Sequence, residues 1–235
     1  MKIGAIIFSR MSSERLPGKA FVDIEGKTLL ERVVERTKLI KQIDHFCIAT
    51  SIKKEDDAIE SFAYSNNIDL FRGDLNDVAG RGLDAAKHFG YNHFLRVCGD
   101  RPFLDSKIYD NLISVHLQNA NDLTTNIFPR KVPPGLTGEV INTSALERVH
   151  NLTSDYIDRE HVTRYFYRNP DFFKIKNVET FDYSKLNDIR LVIDNTEDLI
   201  RAKWILNKLK KQGRQHNTKN ILSLAKQWKN KTIKT

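Results

Sequence analysis

IGAIIF, the stretch from Ile3 to Phe8, is apolar throughout and too short for a helix, so it reads as a strand buried on both faces. Other short apolar or β-rich runs follow at His45 to Thr50 (HFCIAT), Asp69 to Arg72 (DLFR) and His93 to Val97 (HFLRV). A longer segment with helical spacing follows each of them. In the first such segment Leu29, Leu30, Val33, Val34 and Thr37 share one face, and Thr28 with Glu31 has the spacing of a capping box that fixes the helix start. In the second, Ala58, Ile59, Phe62 and Ala63 repeat the pattern behind an acidic first turn, Glu55, Asp56 and Asp57. This βαβ rhythm predicts an α/β fold with a mostly parallel central sheet covered by helices on both faces. Ligands of such sheets bind beyond the carboxyl ends of the strands, so function is expected in the loops there.

After about Thr125 the rhythm breaks. A Pro/Gly loop, Phe128 to Gly138 (FPRKVPPGLTG), leads to a short strand near Glu139 to Asn142 and two short helical stretches. Between Asp155 and Tyr183 lie eight of the chain's twenty Phe and Tyr residues, a density that needs cover from the core or from another subunit. Ile189 to Ile193 then reads as a further strand, and Thr196 to Leu209 as a helix with Leu199, Ala202, Ile205, Leu206 and Leu209 inward. The expected organisation is one domain over 1–209, with 127–188 as an inserted acceptor and dimerisation region, followed by a basic helix and tail at 210–235.

The 235 residues are 40% hydrophobic, enough for a substantial core. No run of eighteen apolar residues occurs, and Arg10 follows the first strand at once, so neither a membrane span nor a secretory signal fits. A cytoplasmic protein is expected. Cys47 and Cys98 match neither a disulfide scaffold nor zinc-ligand spacing and read as buried thiols. The net charge is +8, yet eleven Lys and Arg and no acid lie from Leu199 onward, which leaves 27 basic against 30 acidic residues before it. That distribution argues for a solvated helix face and frayed end, including Lys226, Lys229, Lys231 and Lys234, rather than a nucleic-acid surface.

Three strand-to-loop junctions can carry chemistry. SRMSSERLPGK, Ser9 to Lys19, sets Arg10, Arg15 and Lys19 on a turn-forming segment after the first strand, where converging cations suit phosphate oxygens. RVCGDRPFLD, Arg96 to Asp105, runs a strand out into Gly99 and Asp100, a carboxylate with room beside it for a hard cation such as Mg²⁺. LVIDNTEDL, Leu191 to Leu199, ends another apolar run in Asp194. Taken singly, each aspartate reads equally as a helix or turn cap. Gly26-Lys27-Thr28 is not a Walker A loop, because Phe21 stands where that motif needs glycine.

Together these segments resemble the cytidylyltransferases that activate sugar acids, the CMP-Kdo and CMP-sialic acid synthetases, and above all their spore-coat polysaccharide branch. That branch has A-R-M-G-S-T-R-L-P-G-K where this chain has Ser9 to Lys19. The likeness continues through Gly26 to Val33, Ala49-Thr50-Ser51, Glu55 to Ile59, Phe71-Arg72-Gly73, Gly99-Asp100, Arg159 to Thr163 and Asp194 to Leu199. It implies a Rossmann-like nucleotide-diphospho-sugar transferase fold and a homodimer. It further implies that Ser9, Arg10, Met11, Arg15, Lys19, Arg72, Arg81, Gly99 and Asp100 bind CTP, with Arg15, Lys19 and Asp100 catalytic and Asp100 and Asp194 holding Mg²⁺. Arg101, Glu139, Arg159, Glu160, His161 and Arg190 are then expected around an acidic sugar acceptor. The stretch Ser12-Ser13-Glu14 replaces the Gly-Ser-Thr of the branch, with Ser13 in common, Gly80 and Arg101 replace an acid and a small residue, and Pro134 and Thr137 replace aspartates. The nucleotide half is mostly retained while the acceptor half is altered, which bears on the acceptor's identity. The competing readings are a sugar phosphate as attacker, giving a nucleoside diphosphate sugar, and a non-catalytic nucleotide-binding relative.

Overall fold

The computed structural model describes residues 1–130, 132–179, 186 and 188–232. Four parallel strands form as expected: β1 (Ile3–Phe8), β2 (His45–Ser51), β3 (Asp69–Gly73) and β4 (His93–Cys98). Three short strands follow, β5 (Leu123–Thr125), β6 (Glu139–Asn142) and β7 (Ile175–Asn177). Among the described residues they make one seven-stranded sheet in the order β3-β2-β1-β4-β6-β5-β7. β6 runs antiparallel to both β4 and β5, and β7 pairs parallel with β5.

Helices cover both faces because successive strand residues point to opposite sides. Ala5 and Ile7 of β1 pack under α1 (Leu29–Thr37), α4 (Ser106–Asn119) and α8 (Thr196–Lys211), while Ile6 faces α3 (Val78–His88) and α5 (Thr143–Leu152). α2 (Asp57–Ser65) joins the first face through Ile59 and Ala63. The capping box forms as the spacing predicts: Glu31 N–H donates to the Thr28 hydroxyl at 3.2 Å, and the Glu31 carboxylate accepts from the Thr28 amide. Leu29, Leu30, Val33 and Val34 are all buried, each contributing roughly 1.5–3 kcal/mol. The same core continues past position 210 into α9 (Thr218–Thr232), where Ile221, Leu224 and Ala225 are buried and Trp228 packs on Trp204. Its lysines Lys226, Lys229 and Lys231 lie on the outer side.

One expected strand does not form. Ile189–Ile193 is outside the sheet, because its amides bond to loop carbonyls instead of a neighbouring strand: Leu191 N–H to Pro134 at 2.7 Å and Ile193 N–H to Asp100 at 3.0 Å. In the aromatic segment, Phe166 and Phe173 pack against each other in the core behind α7 (Arg164–Arg168), and Tyr167 stacks on Phe128. Among the described residues of the segment, Tyr156, at the start of α6 (Tyr156–Glu160), and Phe172 are the exposed rings, at 73% and 79%. Lys131, Phe181, Tyr183 and Lys234 lie outside the described residues. Among the described residues no helix is long and apolar enough to cross a membrane.

Candidate active site

β1 has β2 on one side and β4 on the other, so the crossovers diverge at the β1–β4 seam. In open α/β sheets a crevice opens beyond the carboxyl ends at such a point. The seam is tight: Gly99 N–H donates to the Phe8 carbonyl at 2.8 Å, and a Cβ on Gly99 would stand 2.8 Å from that oxygen. Only glycine lets β4 leave so close to β1. Beyond it lies a cavity of about 330 Å³ whose charged lining is Arg10, Arg15, Lys19, Arg81 and Arg96 against Asp100, Glu160 and Asp194. Ser9, Gly99, Cys98 and His161 complete much of the wall. Cations outnumber acids, so the cavity favours an anionic ligand.

The first loop is pinned from below. Met11 N–H donates to Asp56 Oδ1 at 2.7 Å and Ser51 N–H to Asp56 Oδ2 at 2.9 Å, tying the loop to the end of β2. Burial pushes the Asp56 carboxyl up, but the bonds from Ser51 and Met11 outweigh it and hold the group below its ordinary range. Gly18, in the left-handed region at φ 67°, turns the chain into a short 3-10 helix at Lys19–Phe21. Arg10, Arg15 and Lys19 thereby converge on one cavity. Glu14 does not line that cavity; it borders the outer clefts with Ser12 and Ser13.

Asp100, just past β4, and Asp194, just before α8, converge on Lys19. Lys19 Nζ lies 3.7 Å from Asp100 Oδ2 and 3.4 Å from Asp194 Oδ1, while Arg15 and Arg190 reach Asp194 at 3.4 and 2.9 Å. Asp100 Oδ1 is buried and has no hydrogen-bond partner. A buried carboxylate oxygen left without a donor is costly, and a cation would satisfy it. The described residues hold no group of three or more His, Cys, Asp or Glu placed to bind a metal. A pair of carboxylates alone fits a hard divalent ion such as Mg²⁺, which takes its remaining ligands from water and substrate phosphates.

Arg81, on α3, is buried, donates to the Asp74 carbonyl, and keeps its Nε unpartnered. Burial, and then the nearby Arg10, push its guanidinium down to about 10, so an anion between the two would relieve both. Glu160 pairs with Arg10 at 3.7 Å and, with His161, closes the α6 side of the cavity.

Other expected site residues do not line this cavity. Arg72 is taken up by Asp57 at 2.8 Å, Glu60 at 2.6 Å and the Ser51 and Lys53 carbonyls. Arg159 binds Asp77 at 3.0 Å and the His150 and Thr153 carbonyls, fastening α6 to the start of α3 and the end of α5. Asp77 also caps α3, accepting from Gly80 N–H at 2.6 Å; a Cβ on Gly80 would strike that carboxylate, which accounts for glycine at this position. Arg101 is turned inward onto the Thr137 carbonyl at 2.5 Å. Arg190 stands behind Asp194. Glu139 is 1% exposed and fully engaged by Arg96, Thr163 and Tyr167. Sequence reasoning assigned no role to Arg96 or Cys98, which line the cavity. The signal is in the strand: Arg96 and Cys98 alternate on one face of β4, which ends two residues before Asp100.

The sequence profile of the cytidylyltransferases matches residues 4–228. The chain is 31% identical over 210 residues to the spore coat polysaccharide biosynthesis protein SpsF of Bacillus subtilis, covering 86% of this chain and 85% of that one. It is 29% identical over 119 residues to a 3-deoxy-manno-octulosonate cytidylyltransferase of Geobacter sulfurreducens, about half of each chain (51% and 47%). Among solved structures, a cytidylyltransferase from Leptospira borgpetersenii superposes with a TM-score of 0.88 at 30% identity, covering 99% of this chain and 96% of that one.

Proposed function

The chain belongs to the cytidylyltransferase family, and on that premise we propose that it transfers CMP from CTP to a hydroxyl of an acidic sugar of the 2-keto-3-deoxy type, releasing pyrophosphate. The product would feed surface polysaccharide or glycoconjugate synthesis in the cytoplasm. The observation that carries this reading is the joining, in one cavity, of Arg10, Arg15 and Lys19 with Asp100 and Asp194.

In this reading Arg10, Arg15 and Lys19 cradle the triphosphate, and Arg81 adds charge beside Arg10. The acceptor oxygen attacks the α-phosphorus, the bond to the bridging oxygen of the β-phosphate breaks, and pyrophosphate leaves while the hydroxyl gives up its proton. Positioned cations stabilise the charge that develops on the leaving oxygens, which is the main task in phosphoryl chemistry. Asp100 and Asp194 would hold Mg²⁺, which supplies further neutralisation of the phosphate oxygens when bound. Ser9 and Gly99 shape the floor with backbone rather than charge, and Met11, which borders the outer cleft instead of this cavity, holds the loop through its amide on Asp56. Glu160 and His161 face the acceptor. Arg72, Arg101, Glu139, Arg159 and Arg190 support the walls rather than touch ligand.

The working form is proposed to be a homodimer, with exposed Tyr156 and Phe172 at the contact. Sedimentation at micromolar concentration should give a dimer, and a monomer would remove this part of the proposal. The reaction is tested by pyrophosphate release from CTP, UTP, ATP and GTP with Mg²⁺ and a panel of sugar acids. Release is expected from CTP, dependent on the acid. Release from UTP with a sugar phosphate would replace this reading.

A further inference from the structure

Arg96 and Glu139 are register partners across the antiparallel β4–β6 pair, with Nη1 2.6 Å from Oε2. Glu139 is sealed from water and its other oxygen accepts from the Thr163 hydroxyl and the Tyr167 hydroxyl, both at 2.6 Å. Tyr167 is itself held by Thr125 at 3.0 Å. Burial pushes the Glu139 carboxyl up, but Arg96 and the two hydroxyls outweigh it and keep the group ionised. Four residues from β5, β6 and α7 thus orient one guanidinium.

Arg96 lines the cavity, with 20% of its side chain exposed. A guanidinium carries five N–H donors, and Arg96 Nε has no partner. A fixed cation with donors to spare at the wall of a cavity is a site for an anion. Its place in the strand separates it from the triphosphate cations. Arg96 is aligned with Ile6 of β1 and lies two residues before β4 ends at Cys98, whereas Arg10, Arg15 and Lys19 all lie beyond the end of β1 at Phe8. It leans toward β6, whereas Arg81 is tied to the loop after β3.

We propose that Arg96 reads the carboxylate of the sugar acceptor, and that Glu139, with Thr163 and Tyr167, is a positioning residue that aims it. The inference rests on the CMP-transfer reading above and names the group that selects the acceptor. In a 2-keto acid the anomeric hydroxyl sits on the carbon next to the carboxylate, so gripping the carboxylate also fixes the attacking oxygen. A role in folding alone would not distinguish one acceptor from another.

The test compares wild type, Arg96→Gln, Arg96→Lys and Glu139→Gln with three probes: 2-keto-3-deoxy-manno-octonate, its neutral carboxamide, and mannose 1-phosphate. Pyrophosphate release gives KM and kcat, and calorimetry gives CTP affinity. Wild type should prefer the acid over the amide by about 10- to 150-fold, the range of one charge-assisted contact. Arg96→Gln should lose most of that preference while CTP affinity stays within about twofold; Arg96→Lys should restore part of it. Glu139→Gln should raise the KM for the acid more than it lowers kcat. A variant at Arg96 that binds CTP and keeps the full preference overturns the assignment, as does an equal loss on acid and amide in both Arg96 variants. If wild type turns over mannose 1-phosphate and not the acid, the CMP-transfer reading itself fails. If it turns over none of the three probes, the carboxylate assignment is overturned with it.

Discussion

The backbone N–H of Ile193 donates to the carbonyl of Asp100 at 3.0 Å. That bond lays the segment before α8 against the end of β4 and brings Asp194 beside Asp100, although neither strand nor helix connects them. Lys19 then bridges the two carboxylates. The candidate site is therefore assembled by a loop-to-loop contact on top of a sheet that only aims the pieces.

Asn at Asp100 or Asp194 keeps the shape and removes the charge. Turnover should fall by at least about 100-fold, a few kcal/mol of lost charge stabilisation, while the unfolding temperature moves little because both side chains lie at the cavity wall. Near-normal rates for both variants at limiting Mg²⁺ would place the metal elsewhere.

The Lys19 ammonium stands between the two aspartates, and phosphate oxygens would compete for it. Metal binding should consequently be coupled to CTP. Electron paramagnetic resonance of Mn²⁺ should show the free-ion signal persisting with protein alone and disappearing on adding CTP. Lys19→Met should bind Mn²⁺ without nucleotide; failure of that variant to do so would remove the bridging role.

Arg15 reaches Asp194 from an exposed position and loses little by moving to phosphate. Arg15→Ala should lower kcat/KM for CTP by roughly 10- to 100-fold, the value of one charge-assisted phosphate contact. An unchanged kcat/KM would take Arg15 out of the triphosphate site.

Much of this architecture is legible locally. β1, β2 and β4 are short, largely apolar runs, and α1 announces itself through Thr28 and Glu31, because burial and helix capping leave marks within a few residues; β3, at the sheet edge with no buried residue, carries a weaker mark. Ile189–Ile193 carries the same apolar mark and still fails to join the sheet, since Pro134 and Asp100 take its amides. Tertiary partners, not pattern, decide that segment. The family resemblance and its charge place Arg159 at the acceptor, yet its partner Asp77 lies 82 positions away and is invisible to any local reading. Arg96 escapes notice for the opposite reason: it sits inside an apolar strand, where only its alternation with Cys98 marks its side of the strand.

The Asp56 carboxyl ties the first loop to β2 and is held below its ordinary range by the bonds from Ser51 and Met11, which outweigh burial. A depressed carboxylate contributes stability that is fully present above the unfolded value, near 3.8, and is lost as pH falls through the lower folded value. Thermal unfolding of wild type should weaken steeply below about pH 4. Asp56→Asn should be less stable at pH 7 by about 2–3 kcal/mol, with two amides losing a charged acceptor, and should show a shallower acid slope. Identical acid slopes for the two proteins would contradict the role given to Asp56.

The central claim, CMP transfer to an unphosphorylated sugar acid, is tested most directly by mass spectrometry of the product of a turnover mixture containing CTP, Mg²⁺ and a sugar acid. A cytidine product with a single phosphorus atom joined to the acid, formed with one pyrophosphate, is the predicted result; a product with two phosphorus atoms, or with uridine in place of cytidine, would contradict it.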